Sequence, residues 1–264
     1  MSKPYDVAVI GGGIVGVWTA YFLARRGKRV ALVEKGSVGA QSSGVNFGNL
    51  RLQGRYPGQY PLSLRAQALW ERLPELIGAA CEYERTGHLY CAFDAQEAEK
   101  LAAYAAVSES YDLTIERLDR AALARRFPWM SGRVTAATYS ARDAVANPRL
   151  VTPAVADAAR ALGVEIFEGW EAHEARATGG GFTLAAADGR QIACGHLVNA
   201  AGAWAVEIAR WFGEDAPTFA AGPPQFVTEP LPYFLEPSVQ TVDGSVIARQ
   251  IPRGNVILTG YPRT

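Results

Sequence analysis

The sequence predicts an α/β protein in which a doubly wound domain is interrupted by a β-rich α+β lobe. A strand, glycine turn, helix and strand open the chain, the pattern changes near residue 81, and helix–strand alternation resumes near residue 141. With 264 residues, of which 49% are hydrophobic, the chain can form two ordinary domains. We predict a discontinuous cofactor domain over 1–80 and 141–216, and a second, incomplete lobe over 81–140 and 217–264.

The first elements form a βαβ unit. Residues 5–10 predict a buried strand, residues 14–26 predict a helix that Gly27 ends, and residues 29–34 predict a second strand. The turn between the first strand and the helix reads Gly11-Gly12-Gly13-Ile14-Val15-Gly16. This is G-x-G-x-x-G in the strand-to-helix context that dinucleotide binding requires.

The glycine turn and the end of the second strand together predict a Rossmann-like site for adenosine diphosphate. Gly11 allows the tight turn, Gly13 lets a pyrophosphate approach the backbone, and Gly16 lets the helix pack on the strand. Glu34 ends the second strand, where its carboxylate accepts hydrogen bonds from a ribose diol and repels a 2′-phosphate. These features are compatible with either NAD or FAD as the cofactor.

The segment after the second strand favours FAD. Residues 36–58 are rich in Gly, Ser, Asn and Gln and predict a long ordered loop, which in a compact domain is usually functional. FAD is buried along its whole length and needs backbone and hydroxyl donors, whereas an ordinary surface loop is the alternative interpretation. The donors that we assign to it are Ser42, Ser43, Asn46, Gly48 and Asn49.

Further elements follow from periodicity and helix signals. Residues 62–77 predict a helix with a kink or stop at Pro74, and Thr152 and Pro153 predict the N-cap and first turn of a helix that runs to Leu162. The other predicted elements are a strand at 87–93, a helix at 96–107, an extended-then-helical segment at 113–130, and strands at 164–167, 182–187, 191–194, 196–200, 246–250 and 256–260.

Composition and isolated residues exclude several classes of function. The 26 basic and 26 acidic residues cancel, so we predict no nucleic-acid partner. Three cysteines without CxxC spacing fit a reducing cytoplasm, and three scattered histidines match no metal site, so no metal is predicted. Residues 7–24 carry no charge, as in a signal peptide or membrane span, but their glycines favour a strand and turn, and we predict no transmembrane segment.

Six stretches, in this order, carry a family resemblance: VAVIGGGIVG, LVEKGSVGAQSSGVNFGNLR, TGHLYCAFD, RDAVANPRLV, LVNAAGAW and GPPQFVTEP. With them the sequence resembles the FAD-dependent amine and amino-acid oxidoreductases, which include D-amino-acid oxidase and dehydrogenase, glycine oxidase, sarcosine oxidase and the opine oxidase β-subunit. The resemblance implies that the β-rich lobe is a substrate lobe and that the cofactor is FAD.

The resemblance also assigns residues. It implies that the cofactor's ADP half is held by Gly11, Gly13, Ile14, Val15, Gly16, Glu34 and Lys35. It implies that Ser42, Ser43, Asn46 and Gly48 hold pyrophosphate and flavin. It places Ala172 where the family contacts adenine, and it matches Ala201, Gly202 and Trp204 to the strand end that returns to the cofactor.

The reaction that the resemblance implies is oxidation of the Cα–N bond of a D-amino acid, glycine or sarcosine, or an opine, by hydride transfer to flavin N5. Arg51 follows the flavin loop and Arg249 lies on a strand that, by resemblance, faces the substrate. Each arginine is a catalytic candidate that pairs with a carboxylate or the reduced flavin, with a solvated or structural role as the alternative. A flavin monooxygenase and a non-catalytic flavin-binding subunit or fragment are the alternative functions.

The carboxyl end departs from the family pattern. In the family, a later segment brings a Gly-rich flavin-binding turn and usually an arginine for the substrate carboxylate. The sequence ends at Gly260-Tyr261-Pro262-Arg263-Thr264 without them. We therefore expect a truncated chain with weakened flavin binding, and a hetero-oligomer with other subunits is the alternative to a chain that acts alone.

Overall fold

The computed structural model describes residues 4–218, 221–222 and 224–260. The predictions that concern Pro223 and Tyr261–Thr264 lie outside these residues. Two compact units are present and are described in turn. Unit 1 comprises Met1–Asn46, Leu73–Cys81 and Asn147–Ala221, and unit 2 comprises Phe47–Arg72, Glu82–Ala146 and Gly222–Thr264.

The described residues form strands and helices in alternation. The strands are β1 (Tyr5–Ile10), β2 (Val30–Glu34), β3 (Asn49–Leu50), β4 (His88–Ala92), β5 (Glu116–Asp119), β6 (Ala136–Ser140), β7 (Ala144–Val145), β8 (Glu165–Glu168), β9 (Ala172–Thr178), β10 (Gly181–Ala186), β11 (Gln191–Asn199), β12 (Gln225–Pro230), β13 (Ser238–Thr241), β14 (Ile247–Gln250) and β15 (Asn255–Thr259). The helices are α1 (Ile14–Ala24), α2 (Ser42–Val45), α3 (Tyr60–Trp70), α4 (Leu73–Ile77), α5 (Ala95–Glu109), α6 (Arg120–Arg126), α7 (Pro148–Ala161) and α8 (Ala205–Arg210). Short 3₁₀ turns lie at Pro57–Gln59 and Gly202–Trp204.

Unit 1 contains a six-stranded sheet in the order β8-β2-β1-β11-β10-β9. The first four strands are parallel, and β10 and β9 continue the sheet as an antiparallel meander. Residues 7–10 of β1 are buried at every position, as in a parallel sheet that is covered on both faces. The predicted doubly wound α/β domain is confirmed.

The amino-terminal βαβ unit matches its predicted boundaries closely. Strand β1 covers residues 5–10, and α1 and β2 begin and end within two residues of the prediction. Residues 7–24, which resemble a membrane span in composition, therefore lie in a strand, a turn and a helix. Within the described residues, no helix has both the length and the apolar character needed to cross a membrane.

Helix α7 corrects one prediction. It begins at Pro148, and the side chain of Asn147 caps it by accepting from the Arg149 amide at 3.0 Å. Pro153, predicted in the first turn, therefore lies in the helix interior, and Thr152 is fully buried rather than an N-cap. Asn followed by Pro is itself a strong signal for the start of a helix. The pair Asn147-Pro148 lies five residues before the pair that we predicted, and the helix begins there.

Two further elements differ from the prediction. Residues 62–77 form two helices, α3 and α4, and Pro74 lies in the first turn of α4, where its missing amide costs no helical hydrogen bond. The strands predicted at 191–194 and 196–200 are one strand, β11, because it pairs with β10 in its first half and with β1 along its second half.

Unit 2 contains a seven-stranded mixed sheet in the order β12-β15-β14-β13-β4-β6-β5. Only β13 and β4 among the neighbouring strands described are parallel. Helix α6 packs on the sheet through Leu123, which shares a core cluster with Leu89, Leu118 and Phe127. The predicted β-rich α+β lobe is thereby confirmed as a fold.

Residues 47–72, which the sequence prediction placed in the cofactor domain, pack with unit 2. Strand β3 pairs with β7, and Leu52 and Tyr60 share a core cluster with Ala105, Leu113 and Ile115. The periodicity of apolar residues does not reveal that this segment packs with unit 2, because an apolar helix face can pack on the core of either unit.

A buried carboxylate anchors the start of this segment. Asp143 is fully buried and accepts from the Leu52 amide at 2.7 Å and, more weakly, from the Gln53 amide at 3.5 Å. The Gln53 side chain in turn lies 2.8 Å from Nδ1 of buried His88. Burial raises the pKa of Asp143 to about 6, although the two amides oppose this, and burial lowers the pKa of His88 to about 3, which keeps the imidazole neutral.

Asp143 predicts a pH dependence of stability. Its pKa is raised in the folded state, so the folded protein retains this proton between about pH 4 and pH 6 while the unfolded chain releases it, and stability falls as pH rises through this window. In the wild type this fall in the free energy of unfolding should amount to roughly 3 kcal/mol, and we expect the Asp143→Asn variant to lack it. The measurement is the free energy of unfolding by urea from pH 4 to pH 7, with Asp215→Asn, at an exposed carboxyl, as control. A difference between Asp143→Asn and wild type that does not change with pH would contradict the assignment.

Candidate cofactor site

The glycine turn is fixed by close packing within unit 1. Gly11 has a φ of +107°, and a Cβ on it would lie 2.5 Å from the carbonyl oxygen of Ala200. A Cβ on Gly16 would overlap the carbonyl oxygen of Gly11. Only glycine at both positions lets the first turn of α1 lie directly against the ends of β1 and β11.

The loop after β2 folds back onto this turn. Ser43 accepts from the amide of Ile14 at 2.9 Å, and the amide of Gly39 donates to the carbonyl of Gly12 at 3.0 Å. The Asn46 side chain donates to the carbonyls of Ser42 and Ser43 at 3.1 and 2.8 Å. Asn46 therefore stabilises α2, while Ser43 lies beside the amino end of α1.

Glu34 connects the glycine turn to the loop that follows β2. Its Oε2 accepts from the Gly12 amide at 2.7 Å, and its Oε1 accepts from the Gly36 amide at 2.8 Å. The side chain is 9% exposed. Each carboxylate oxygen keeps a second lone pair, so Glu34 can hold the loop and also accept hydrogen bonds from a ligand hydroxyl.

A cavity of about 190 Å³ opens at the carboxyl ends of the parallel strands, the edge where open α/β sheets bind their ligands. It brings together residues that are far apart in the sequence. The predicted cofactor residues that line it are Gly11, Gly13, Ile14, Val15, Glu34, Lys35, Ser42, Ser43, Ala172, Ala201, Gly202 and Trp204.

The other predicted residues lie elsewhere. Gly16 is buried under the turn, and Asn46 lies at the end of α2 without lining the cavity. Gly48 belongs to unit 2, where it has a φ of +75° and its carbonyl accepts from the Ala146 amide at 3.0 Å.

Both catalytic candidates also belong to unit 2. Arg51 donates from Nη1 to the side chain of Gln240 at 2.9 Å. Arg249 is 5% exposed, its guanidinium lies 5.6 Å from the ring centroid of Phe47, and its Nε has no hydrogen-bond partner among the described residues. Burial lowers the pKa of Arg249 to about 10, so it stays charged at neutral pH.

Sequence reasoning missed an aromatic wall of the cavity. Trp170 and Trp211 line it together with Trp204, and the Lys35 ammonium lies 3.3 Å from the centroid of the Trp204 ring. The Trp170 amide donates to the backbone carbonyl of Glu34 at 2.9 Å. One signal was available for Trp170: it closely follows the parallel strand β8, so its position at the carboxyl edge follows from the topology.

The arrangement fits the ADP half of a dinucleotide. Glycine at position 13 leaves open space before the amino end of α1, where a side chain would otherwise lie 3.1 Å from Ser43 Oγ, and the helix dipole there favours a phosphate. The same cavity is lined by the Glu34 carboxylate, by tryptophan rings and by alanine methyl groups.

Comparison with known proteins agrees with this geometry. The model of a protein family described as "FAD dependent oxidoreductase" matches residues 6–263. Glycine oxidase from Bacillus licheniformis is 29% identical over 222 residues, which cover 81% of this chain and 58% of that protein. Hydrogen cyanide synthase subunit HcnC from Pseudomonas aeruginosa is 28% identical over 251 residues, which cover 79% of this chain and 60% of that protein.

A solved structure extends the likeness to the fold. L-proline dehydrogenase from P. horikoshii superposes with a TM-score of 0.87 over 99% of this chain and 71% of that one, at 24% sequence identity. The chain spans less than two thirds of the length of the curated relatives.

The packing at Gly16 gives a test of the turn. We expect Gly16→Ala to destabilise the protein by about 1–3 kcal/mol, because the added methyl overlaps the Gly11 carbonyl and the helix must shift. The measurement is the free energy of urea unfolding. Gly180→Ala is the matched control, since no atom lies within 4 Å of its new methyl. Equal stability of the two variants would show that α1 does not pack on the turn as described.

Proposed function

Because the chain belongs to the FAD dependent oxidoreductase family, we propose that it oxidises the Cα–N bond of a small amine or amino acid with FAD as the cofactor. The observation that carries the proposal is the cavity at the strand ends, whose glycine turn, acidic strand end and returning serine loop fit the ADP half of FAD. The names of the relatives, glycine oxidase above all, support an amino acid or amine as substrate.

In this proposal unit 1 binds the cofactor. The amides at the start of α1 and the open space at Gly13 receive the pyrophosphate, and Ser42 and Ser43 supply hydroxyl donors beside it. Glu34 accepts hydrogen bonds from the adenosine ribose. Ala172 and the tryptophan wall contact the adenine.

The residues of unit 2 supply charge for the substrate. FAD, when bound, supplies the acceptor for the hydride that leaves the α-carbon. Arg51 is held by its hydrogen bond to the Gln240 side chain, and Arg249 lies on β14 with its guanidinium 5.6 Å from the centroid of the Phe47 ring. We propose that they bind a carboxylate of the substrate or favour negative charge on the reduced cofactor.

A second candidate function has one specific observation in its favour. The relative from Pseudomonas aeruginosa is a subunit of hydrogen cyanide synthase. A flavin-holding subunit that works in a hetero-oligomer is therefore the alternative. We also propose a cytoplasmic location, because Cys81, Cys91 and Cys194 are all buried as thiols.

Flavin bleaching tests the reaction. The purified protein is loaded with FAD and mixed anaerobically with D-amino acids, glycine, sarcosine, proline derivatives and opines. We expect at least one of these amines to bleach the oxidised flavin band in a saturable way. Loaded protein whose flavin no amine reduces, but which dithionite still reduces, would favour the subunit alternative.

Glu34 tests the cofactor assignment independently of turnover. We expect Glu34→Ala to weaken FAD binding about ten- to a hundredfold, because hydrogen bonds to a charged acceptor contribute about 1.5–3 kcal/mol. The measurement is the dissociation constant of FAD by quenching of flavin fluorescence. Glu174→Ala removes an exposed carboxylate from β9 and should leave the constant unchanged. Equal affinities in the two variants would remove Glu34 from the site.

A further inference from the structure

A groove of about 330 Å³ lies within unit 2, where β5 meets α5 and α6. Three of the four residues of β5, Arg117–Asp119, line it along one side. The helices contribute short side chains, with Ala98 and Ala102 from α5 and Ala122 from α6. Because these side chains are short, they leave space beside the strand.

Strand β5 is an edge of the seven-stranded sheet among the strands described. It pairs with β6 on one side, and within the described chain the backbone of residues 116–118 bonds to no other element. Every second residue of a strand directs its amide and its carbonyl away from the neighbouring strand, so β5 presents backbone donors and acceptors on its outer side. An extended polypeptide that lies beside the strand can satisfy them, as in other cases of strand addition to a sheet edge.

The groove carries two positive charges that the described chain does not neutralise. Arg117 and Arg125 both line it and are exposed, and neither makes a hydrogen bond or a salt bridge with any described residue. One acid, Asp119, also lines the groove, but its side chain caps α6 by accepting from the Ala122 amide at 2.7 Å. Two guanidinium groups are therefore open to carboxylates from outside the chain.

The other charged residues near the groove leave this excess of positive charge in place. Glu116, the first residue of β5, pairs with Arg126 at 2.6 Å. On α5, the exposed Glu99 lies next to the exposed Lys100, and neither side chain lines the groove. A partner with negative charge is therefore favoured over one with positive charge.

We propose that the outer edge of β5 binds an extended acidic segment of a partner polypeptide as an added strand. The backbone of the segment bonds to the open backbone groups of β5, and its carboxylates pair with Arg117 and Arg125. Its apolar side chains pack on Ala98 and Ala102. The site does not depend on the proposed oxidation, because it contains no residue that is assigned to the cofactor or to the substrate.

Three short peptides separate the contribution of the backbone from that of charge. The full chain is titrated by calorimetry with an acetylated and amidated acidic probe, Asp-Glu-Val-Thr-Val-Asp-Glu. A second probe has proline in place of the threonine, and a third has lysine in place of every acidic residue. We expect saturable binding of the acidic probe and no binding of the lysine probe. The proline probe should bind about tenfold more weakly, because it keeps the charge but lacks the central amide donor.

Variants of the chain place the probe in this groove. Arg117→Gln and Arg125→Gln should each raise the dissociation constant of the acidic probe about two- to fivefold, as expected for exposed salt bridges, and the double variant should raise it about tenfold. Ala102→Leu keeps both arginines and fills part of the groove, so it should also weaken binding about tenfold. Arg149→Gln, at an exposed arginine of α7 in unit 1, is the matched control and should bind as wild type does.

Amide hydrogen exchange locates the bound probe on the full chain. We expect the acidic probe at saturation to slow exchange within residues 116–118 and to leave exchange unchanged in β12, the edge strand at the other end of the same sheet. The melting temperature of each variant separates lost binding from lost folding, and the double arginine variant decides the question should Ala102→Leu not fold. The proposal is overturned if the acidic probe does not bind saturably, if the proline probe binds equally well, if the double arginine variant binds as wild type does, or if exchange in β5 does not slow.

Discussion

Glu34 joins three strand ends of unit 1, and the candidate cofactor site depends on this. One carboxylate oxygen holds the Gly12 amide after β1, the other holds the Gly36 amide after β2, and its backbone carbonyl accepts from Trp170 after β8. Three amides that would otherwise lie unpaired at the edge of a sheet are thereby satisfied. The carboxyl edge of the sheet is therefore ordered in the absence of a ligand. Less conformational entropy is then lost when a ligand binds.

The glycine turn extends the same constraint to α1. Because Gly11 and Gly16 lack side chains, the helix approaches β1 closely enough for its first amides to face the cavity. Ser43 then bonds one of these amides, at Ile14, and so brings α2 to the edge. The amino end of α1, the Glu34 carboxylate and the hydroxyl-bearing loop therefore converge through hydrogen bonds from backbone amides to side-chain oxygens.

How much of this the sequence could predict depends on how local each signal is. Strand β1, the glycine turn and β2 were predicted nearly to the residue, because each is coded by its own neighbours. The start of α7 was wrong because two Asx/Thr-Pro pairs compete, at Asn147-Pro148 and Thr152-Pro153, and the earlier one caps the helix. Residues 47–72 pair with β7 and pack with Leu113, contacts that no window of sequence contains. Trp211 lines the cavity through tertiary packing alone.

Unit 2 uses buried polar groups to fix the loop that carries Arg51 and Arg55. A carboxylate with a raised pKa is unfavourable in a core, and Asp143 offsets part of this cost by accepting from loop amides rather than from a cation. The acid instead holds the backbone and leaves both guanidinium groups without a salt bridge in the described chain, so the loop is rigid while its positive charge remains available to a ligand.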